Sequence, residues 1–303
     1  MSYSSGGIIQ AVDYNAFAAS CNAVWGVGAG DSGYGQSTTL STVSGGVSTV
    51  TATQWSDLIT RIDSMRTHQS GATSGITKPS AGGVVSYLST LSSQVSTITT
   101  NRMLAAATGT PSSTSMTNAT NWVTSSVKEF SLTWSSANAM RYFFNAGGII
   151  TFTGINTALA GNTKSTDWQS LVNACGTIVI AGNNSFKSGG SGTPTTYNTN
   201  LGFYAQTTSY NSVLVQYSTT VTGGYNTNYM YFDSKLNGVP GSSTVMNVRM
   251  TMIDAASDTS IPSSADIVTG TVRLDATVIP PSTSVLTDTW GTVTVATVTN
   301  TQS

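Results

Sequence analysis

Residues Val127–Gly154 read VKEFSLTWSSANAMRYFFNAGGIITFTG, the stretch of the chain densest in aromatic residues: Phe130, Trp134, Tyr142, Phe143, Phe144 and Phe152. In VKEFSLTW, residues Val127, Glu129, Ser131 and Thr133 alternate with the largely apolar set Lys128, Phe130, Leu132 and Trp134. That period of two predicts a half-buried strand. Ala137, Met140, Arg141 and Phe144 then recur at helical spacing. Asn145-Ala146-Gly147-Gly148 supplies positions that tolerate positive φ, enough to stop a helix and turn the chain. IITFTGI resumes as a strand. Arg141, on a short helix in a chain with few charges, calls for a dedicated partner, either Glu129 or a set of backbone carbonyls, and is expected to be buried.

Upstream of this stretch the chain reads as helices joined by glycine-rich turns. Tyr14, Phe17, Ala18, Cys21, Val24 and Trp25 keep a helical period, with Asp13 placed to cap the start. Five glycines between Gly26 and Gly35 then end that helix in a tight loop, GVGAGDSGYGQ. Thr51 and Gln54 have capping-box spacing ahead of a second helix with Trp55, Leu58, Ile59, Ile62 and Met65 on one face, ending near His68-Gln69-Ser70-Gly71. The intervening STTLSTVSGGVSTVTA, with its Gly45-Gly46 turn, reads as a small hairpin. A third helix is expected from about Gly83 to Met103, with Ser, Thr and Gln on its outer positions. That polar but uncharged face suits a helix packed among neighbours. Residues 105–121 have linker composition. The expected division is therefore a helical region over 1–104, a linker over 105–121 and a β-rich domain over 122–303.

Downstream, Trp168, Leu171, Val172 and Cys175 mark a helix between Thr163 and Cys175, followed by a buried strand at Thr177–Ala181 and a long polar loop at Ser185–Asn200. Strands are then expected at Leu201–Gln206, Ser212–Ser218, Asn228–Ser234, Thr244–Asp254, Ala265–Ile279 and Thr287–Val298. In VMNVRMTMI, Val245, Asn247, Arg249, Thr251 and Ile253 oppose Met246, Val248, Met250 and Met252. The fold class is α+β: an N-terminal helical region, then a mainly antiparallel β-sandwich with a helical insertion.

Composition narrows the function. Only 8% of the 303 residues are charged, against about 25% in an average soluble domain, and the net charge is −1. With 6 Trp, 12 Tyr and 8 Phe the chain can fill a core and does not have the composition of a disordered segment. A surface of hydroxyls and amides suits a subunit much of whose exterior is covered in an assembly. The 11 Lys and Arg residues are spread along the chain, leaving no basic patch for nucleic acid. No apolar run approaches the roughly 20 residues that span a bilayer, and MSYSSGGIIQAVDYN lacks the features of a signal peptide. Cys21 and Cys175 read as small buried residues, and the sequence leaves a disulfide between them open.

Motifs for catalysis or cofactors are weak. His68 is the single histidine, which argues against a zinc site or a histidine-dependent triad. Its reading is a helix C-terminal residue favoured by the helix dipole. Asp254, Asp258 and Asp266 are candidates for a carboxylate pair, with turn and cap chemistry as the plainer reading. The Gly26–Gly35 loop lacks a phosphate-loop lysine and follows a helix where a strand is required. No cofactor and no enzymatic activity are expected. Tyr197, Phe203, Tyr204, Tyr210, Tyr217, Tyr225, Tyr229 and Tyr231 lie among Asn, Thr and Gly, a combination that can bind sugars by stacking and hydrogen bonding. The competing reading is core and subunit interface, where tyrosine is also common.

Two stretches carry a resemblance. YNAFAASCNAVWGVGAGDSGYGQ with TATQWSDLITRIDSMRTHQSG, and then VKEFSLTWSSANAMRYFFNAGGIITFTG, resemble tail-associated structural proteins of tailed bacteriophages, cyanophages among them. The shared features are the GYGQ loop, a T-x-x-x-W helix ending in His-Gln, and a turn of the form A-R-Y-FFN-GG, from which this chain departs with Met140 before Arg141. The resemblance implies a non-enzymatic virion component of the tail, baseplate, neck or fibre apparatus, made in the host cytoplasm. It implies partners among other virion proteins and, by analogy with fibres, homotrimers. It offers no catalytic residues. The structural or interface candidates in these stretches are Trp25, Tyr34, Trp55, His68, Arg141, Tyr142, Phe143, Phe144 and Asn145. The alternative is a receptor-binding module whose tyrosine-rich loops grip a host surface glycan.

Overall fold

Thr51 accepts a hydrogen bond from the backbone of Gln54, and the Gln54 side chain returns one to the Thr51 backbone, so the expected capping box starts a long helix. The computed structural model describes residues 11–44, 50–81, 85, 87–158, 163–219, 222–256 and 267–303. Two units divide the chain. The first comprises Met1–Gly109, Asn145–Gly147 and Pro281–Thr289, and the second Thr110–Phe144, Gly148–Pro280 and Trp290–Ser303.

The first unit holds helices α1 (Ala11–Trp25), α2 (Ala52–Ser70) and α3 (Leu88–Thr100). Their apolar faces meet around Trp55, whose ring takes edge contacts from Tyr14 and Phe17. Gly71, in the left-handed region, ends α2. Two asparagines seven residues apart on α1 bind the extended segment that follows it. Asn15 pairs with both backbone groups of Val43, and Asn22 does the same with Leu40. The extended backbone there finds its hydrogen bonds in side chains instead of a ladder. The segment 37–44 has no strand, and the Gly45-Gly46 turn lies outside the described residues. So does Gly83, and α3 begins at Leu88.

The second unit is a pair of antiparallel sheets with helical inserts. It contains β1 (Ser112–Asn118), β2 (Ser125–Thr133), α4 (Ala137–Asn145, its last residue counted with the first unit), β3 (Ile149–Thr157), α5 (Thr163–Cys175), β4 (Thr177–Ile180), β5 (Ser185–Ser188), β6 (Thr196–Tyr197), β7 (Asn211–Tyr217), β8 (Tyr229–Leu236), β9 (Val245–Ile253), β10 (Thr271–Ile279) and β11 (Thr294–Gln302). One sheet runs β1-β10-β3-β4-β5 and the other β11-β2-β9-β8-β7-β6. The inner faces meet closely at Gly154 of β3. A Cβ there would stand 2.7 Å from the Met250 sulfur of the opposite sheet and 3.2 Å from Val172 of α5, so only glycine fits without a shift. The fold is α+β, as the sequence pattern predicts.

Several boundaries differ from expectation. Residues 105–121 include β1, seven residues paired with β10. Thr287–Val298 does not form a strand as a whole: β11 starts at Thr294, and Pro281–Thr289 belongs to the helical unit. Leu201–Gln206 is not a strand. Its centre, Phe203–Ala205, is a single 3₁₀ turn, because Phe203 is pulled into the core and stacks on Phe144 with centroids 4.5 Å apart. The expected loop at Ser185–Asn200 contributes β5 and β6. Strand β10 begins at Thr271, Ala265 lying outside the described residues.

Candidate binding site on the six-stranded sheet

Register places a row of charged residues on the outer face of the six-stranded sheet. Glu129 of β2 is opposite Arg249 of β9, which is opposite Asp233 of β8, giving a row of alternating charge across three strands. Arg249 grips Asp233 with two hydrogen bonds, 3.0 Å from Nε and 2.6 Å from Nη2. The fork-to-carboxylate geometry adds direction as well as attraction. These bonds push the guanidinium pKa up, whereas burial outweighs the guanidinium at Asp233 and raises its carboxyl. Both directions are consistent with a pair whose carboxylate is buried more deeply than its partner.

Tyr210 covers this row. Its ring lies under the Arg249 guanidinium at 3.7 Å and the Lys235 ammonium at 4.3 Å, and its hydroxyl donates to Glu129. Glu129 also accepts from Asn247 at 2.7 Å and Thr299 at 3.4 Å. Burial and the neighbouring carboxylate drive the Tyr210 pKa upward, so its proton stays on the phenol. Further along the same face Tyr231, Tyr229 and Tyr217 form a ladder, with centroid spacings of 6.3 and 5.0 Å. Tyr217 is 40% exposed and closes the ladder at the end of β7.

Tyr217 also forms part of the wall of a cavity of about 410 Å³ beside α5 and the loop after β5. Asp167 and Gln216 line it too. Asp167 Oδ1 accepts from Ser218 at 2.7 Å, while its Oδ2 and the Gln216 Oε1 are buried with no hydrogen-bond partner among the described residues.

The aromatic residues singled out by sequence thus separate. Tyr210, Tyr217, Tyr229 and Tyr231 share the outer face. Phe203 and Tyr225 are core, and Tyr197 and Tyr204 are half-buried elsewhere in the unit. Trp25, Tyr34, Trp55, His68, Arg141, Tyr142, Phe143, Phe144 and Asn145 are all buried within this chain. In the helical unit Arg61 lies over Trp25 at 4.0 Å, and Tyr34 accepts from Gln69 and packs edge-on against His68. Asn145 donates to Gly33 O at 3.1 Å. The GYGQ loop clamps the segment from Pro281 to Thr289: Gln36 exchanges two hydrogen bonds with the Thr287 backbone, and Thr289 donates to Tyr34 O. Positive φ at Gly33 and Gly35 lets the loop turn there. His68 bonds to Ala146 O at 3.0 Å, and burial holds its pKa below the ordinary 6.5. It is therefore a neutral core residue and not a cation serving a helix dipole. In the sheet unit Trp134, Phe143, Phe144 and Phe203 form one aromatic cluster.

Arg141 is 6% exposed, as expected, and donates to Asn138 Oδ1. Glu129 does not serve it, being bound by Tyr210, Asn247 and Thr299. Cys21 and Cys175 are buried free thiols, with pKa values pushed up to about 12 by burial. Of the suggested carboxylates, Asp254 pairs with Lys164 in the interior, and Asp258 and Asp266 lie outside the described residues. Among the described residues no three His, Cys, Asp or Glu side chains gather to hold a metal. No helix among them is long and apolar enough to cross a membrane. Sequence reading missed Asp167, Gln216 and the Glu129–Arg249–Asp233 row. The alternation in VMNVRMTMI already set Arg249 apart from the methionines, but its partners depend on strand register.

Comparison of the chain with family models, curated proteins and solved structures returned no match.

Proposed function

We propose that this protein is a non-enzymatic structural component of a phage virion, in the tail, baseplate, neck or fibre apparatus, and that it acts by assembling with copies of itself and with other virion proteins. The resemblance of the two quoted stretches gives the setting. The observation that carries the assembly reading is the pair of edge strands. Strands β1 and β11 end their respective sheets on the same side, where Asn300 donates to Thr117 O. Their sequences, SSTSMTN and TVATVTNTQ, contain neither a charge nor a proline. Edges that must stay single are usually blunted by lysine, proline or a cover. An uncharged, hydroxyl-rich edge of nine residues is suited to pairing with a neighbour.

Native mass spectrometry tests this directly. The expected species is a homo-oligomer, a trimer by analogy with fibres, and Val298→Lys, which charges an exposed residue of β11, shifts it toward monomer. A wild-type monomer that is also missing from purified virions refutes the proposal. Turnover of host polysaccharide by the purified protein refutes its non-enzymatic part.

A second reading, recognition of host surface glycans, is favoured by one feature: the Tyr217–Tyr229–Tyr231 ladder presents stacked rings on the outer sheet face. It is compatible with a place in an appendage.

A further inference from the structure

We infer that β11 is an exchangeable strand, and that in the assembled protein it pairs with β2 of a second copy of the chain in place of its own β2. The inference rests on the assembly reading and names how two copies hold each other.

Strand β11 is bound lightly to the sheet it completes. None of its nine residues is buried, whereas Ser126, Lys128, Glu129, Phe130 and Leu132 of the adjoining β2 all are. Little of its own apolar surface is removed from water, so the hydrophobic effect holds it weakly. A register shift between Thr297 and Thr299 also interrupts its ladder with β2.

The chain leading into β11 is anchored separately. Gln36 and the Tyr34 carbonyl hold Thr287 and Thr289, and Trp290 is 2% exposed. A departure of β11 therefore stops at Trp290. Between the anchor and the strand lie Gly291 and Thr292, both exposed, and Val293. Gly291 has a φ of 66°, and a Cβ there would meet only Ser135 Oγ, at 4.0 Å. A glycine in open space can redirect the chain at small cost. Three extended residues reach about 10 Å, so the receiving copy lies directly against the donor.

Side chains on β2 select what pairs with it. Lys128 donates to Asn300 at 2.6 Å, Gln302 donates to Ser126 Oγ at 3.4 Å, and Thr299 donates to Glu129 at 3.4 Å. The β11 of a second copy remakes each bond in the same register, which a strand of other sequence does not. This commits the occupant to another copy of this chain. Donor and receiver are different strands, so the contact is heterologous and can close into a ring, as a trimer requires. The outer edge of β11 stays free for the pairing proposed above.

The test is a disulfide across β2 and β11. Ala296 stands opposite Ser131 in the ladder, and Thr294 opposite Thr133. Opposed residues of antiparallel strands have Cα atoms about 4.5–5.5 Å apart, within reach of a disulfide. The full chain with Ser131→Cys and Ala296→Cys is oxidised in its native state, at a concentration where native mass spectrometry finds the oligomer. Free thiols are alkylated during denaturation, and the products are separated without reductant. Cys21 and Cys175, both 0% exposed, are out of reach of the oxidant, and the wild-type chain is the control. Exchange joins different subunits, so most of the chain is expected as covalent oligomer, a covalent trimer if the ring closes at three. A monomer band with an internal disulfide overturns the exchange and leaves the assembly reading standing. So does a folded oligomer in which neither cysteine pair oxidises, because β2 then pairs with something other than β11. A chain that is monomeric at every concentration overturns the exchange whatever its place in the virion. If circular dichroism shows the first variant unfolded, Thr133→Cys with Thr294→Cys, at two exposed positions, decides the matter.

Discussion

The inner and outer faces of the six-stranded sheet come from alternate residues of the same strands, yet they are held together differently. The inner face gathers Phe130, Leu132, Met230, Phe232, Met246, Val248, Met250 and Met252, all buried. Its stability is apolar area and close contact. The outer face gathers Glu129, Arg249, Asp233 and the tyrosines, whose positions are fixed by directed bonds and ring stacking. A four-methionine interior adapts to small changes of shape. A row of paired charges under an aromatic lid has one good arrangement and little tolerance. The inner face therefore resists unfolding, while the outer face specifies a surface.

The largest effect is expected inside. Phe130→Ala removes a fully buried ring and should cost about 3–5 kcal/mol, read as a drop in the denaturant midpoint of the sheet unit. A loss below about 1 kcal/mol would mean that the methionines repack around the void, and that the inner face is softer than argued. Next comes Arg249→Ala, which leaves the Asp233 carboxylate, 4% exposed, without its guanidinium. The Arg249 side chain is 25% exposed, so water screens part of the loss. The expected cost is about 2–3 kcal/mol, below that of a fully buried pair. The double variant Arg249→Met with Asp233→Leu should recover most of it, because no charge is then stranded. If it does not, the row holds the face through Tyr210 and not through the ion pair.

Lys128 is the exception on the inner face, a fully buried charged residue among apolar ones. Its ammonium donates to Asn300 at 2.6 Å, and burial lowers its pKa from 10.5 to about 8. Between those values the unfolded chain holds a proton that the folded chain releases, so stability rises with pH, by up to about 1.4 kcal/mol per unit. Below about 8 both states are protonated and the cost is fully present. Above 9 the buried thiols Cys21 and Cys175 act in the opposite sense, because they keep protons in the folded state that the unfolded state loses. The clean window is therefore about pH 8 to 9. Urea unfolding there should show a positive slope for wild type, flattened in Lys128→Met. The variant should also be the more stable protein at pH 7, Asn300 being exposed and able to turn to water. An unchanged slope would place the proton elsewhere.

This residue also marks how far the sequence could be read. Alternation in VKEFSLTW set Lys128 with Phe130 and Leu132, and the structure keeps it there, so the strand, its faces and the following helix and turn were legible locally. The same holds for the capping box of α2. What was not legible depends on residues far apart in the chain. Glu129 and Tyr210 meet across 81 positions, and Gln36 and Thr287 across 251. Periodicity says which way a side chain points, and register says what it meets. Phe203 shows the other failure: a strand-like run became a 3₁₀ turn because its ring stacks on Phe144. The cavity residues Asp167 and Gln216 carried no motif, since an unpaired acceptor is a property of the packed chain and not of its composition.

The smallest effect is expected on the outer ladder. Tyr229 is half-buried between Tyr217, opposite it on β7, and Tyr231, two residues on along β8, and its cross-strand stacking on Tyr217 is worth about 0.2–1 kcal/mol. Tyr229→Ala should therefore shift thermal unfolding of the sheet unit by a small fraction of the Phe130→Ala effect, because Met230 and Phe232 on the same strand keep their inner contacts. A loss as large as that of Phe130 would show that the outer face is itself a buried layer in solution, covered by another copy. Concentration-dependent melting would then accompany it, since a face covered by association loses its stabilisation on dilution. A small loss independent of concentration leaves the ladder open to solvent, where it is free to meet a ligand.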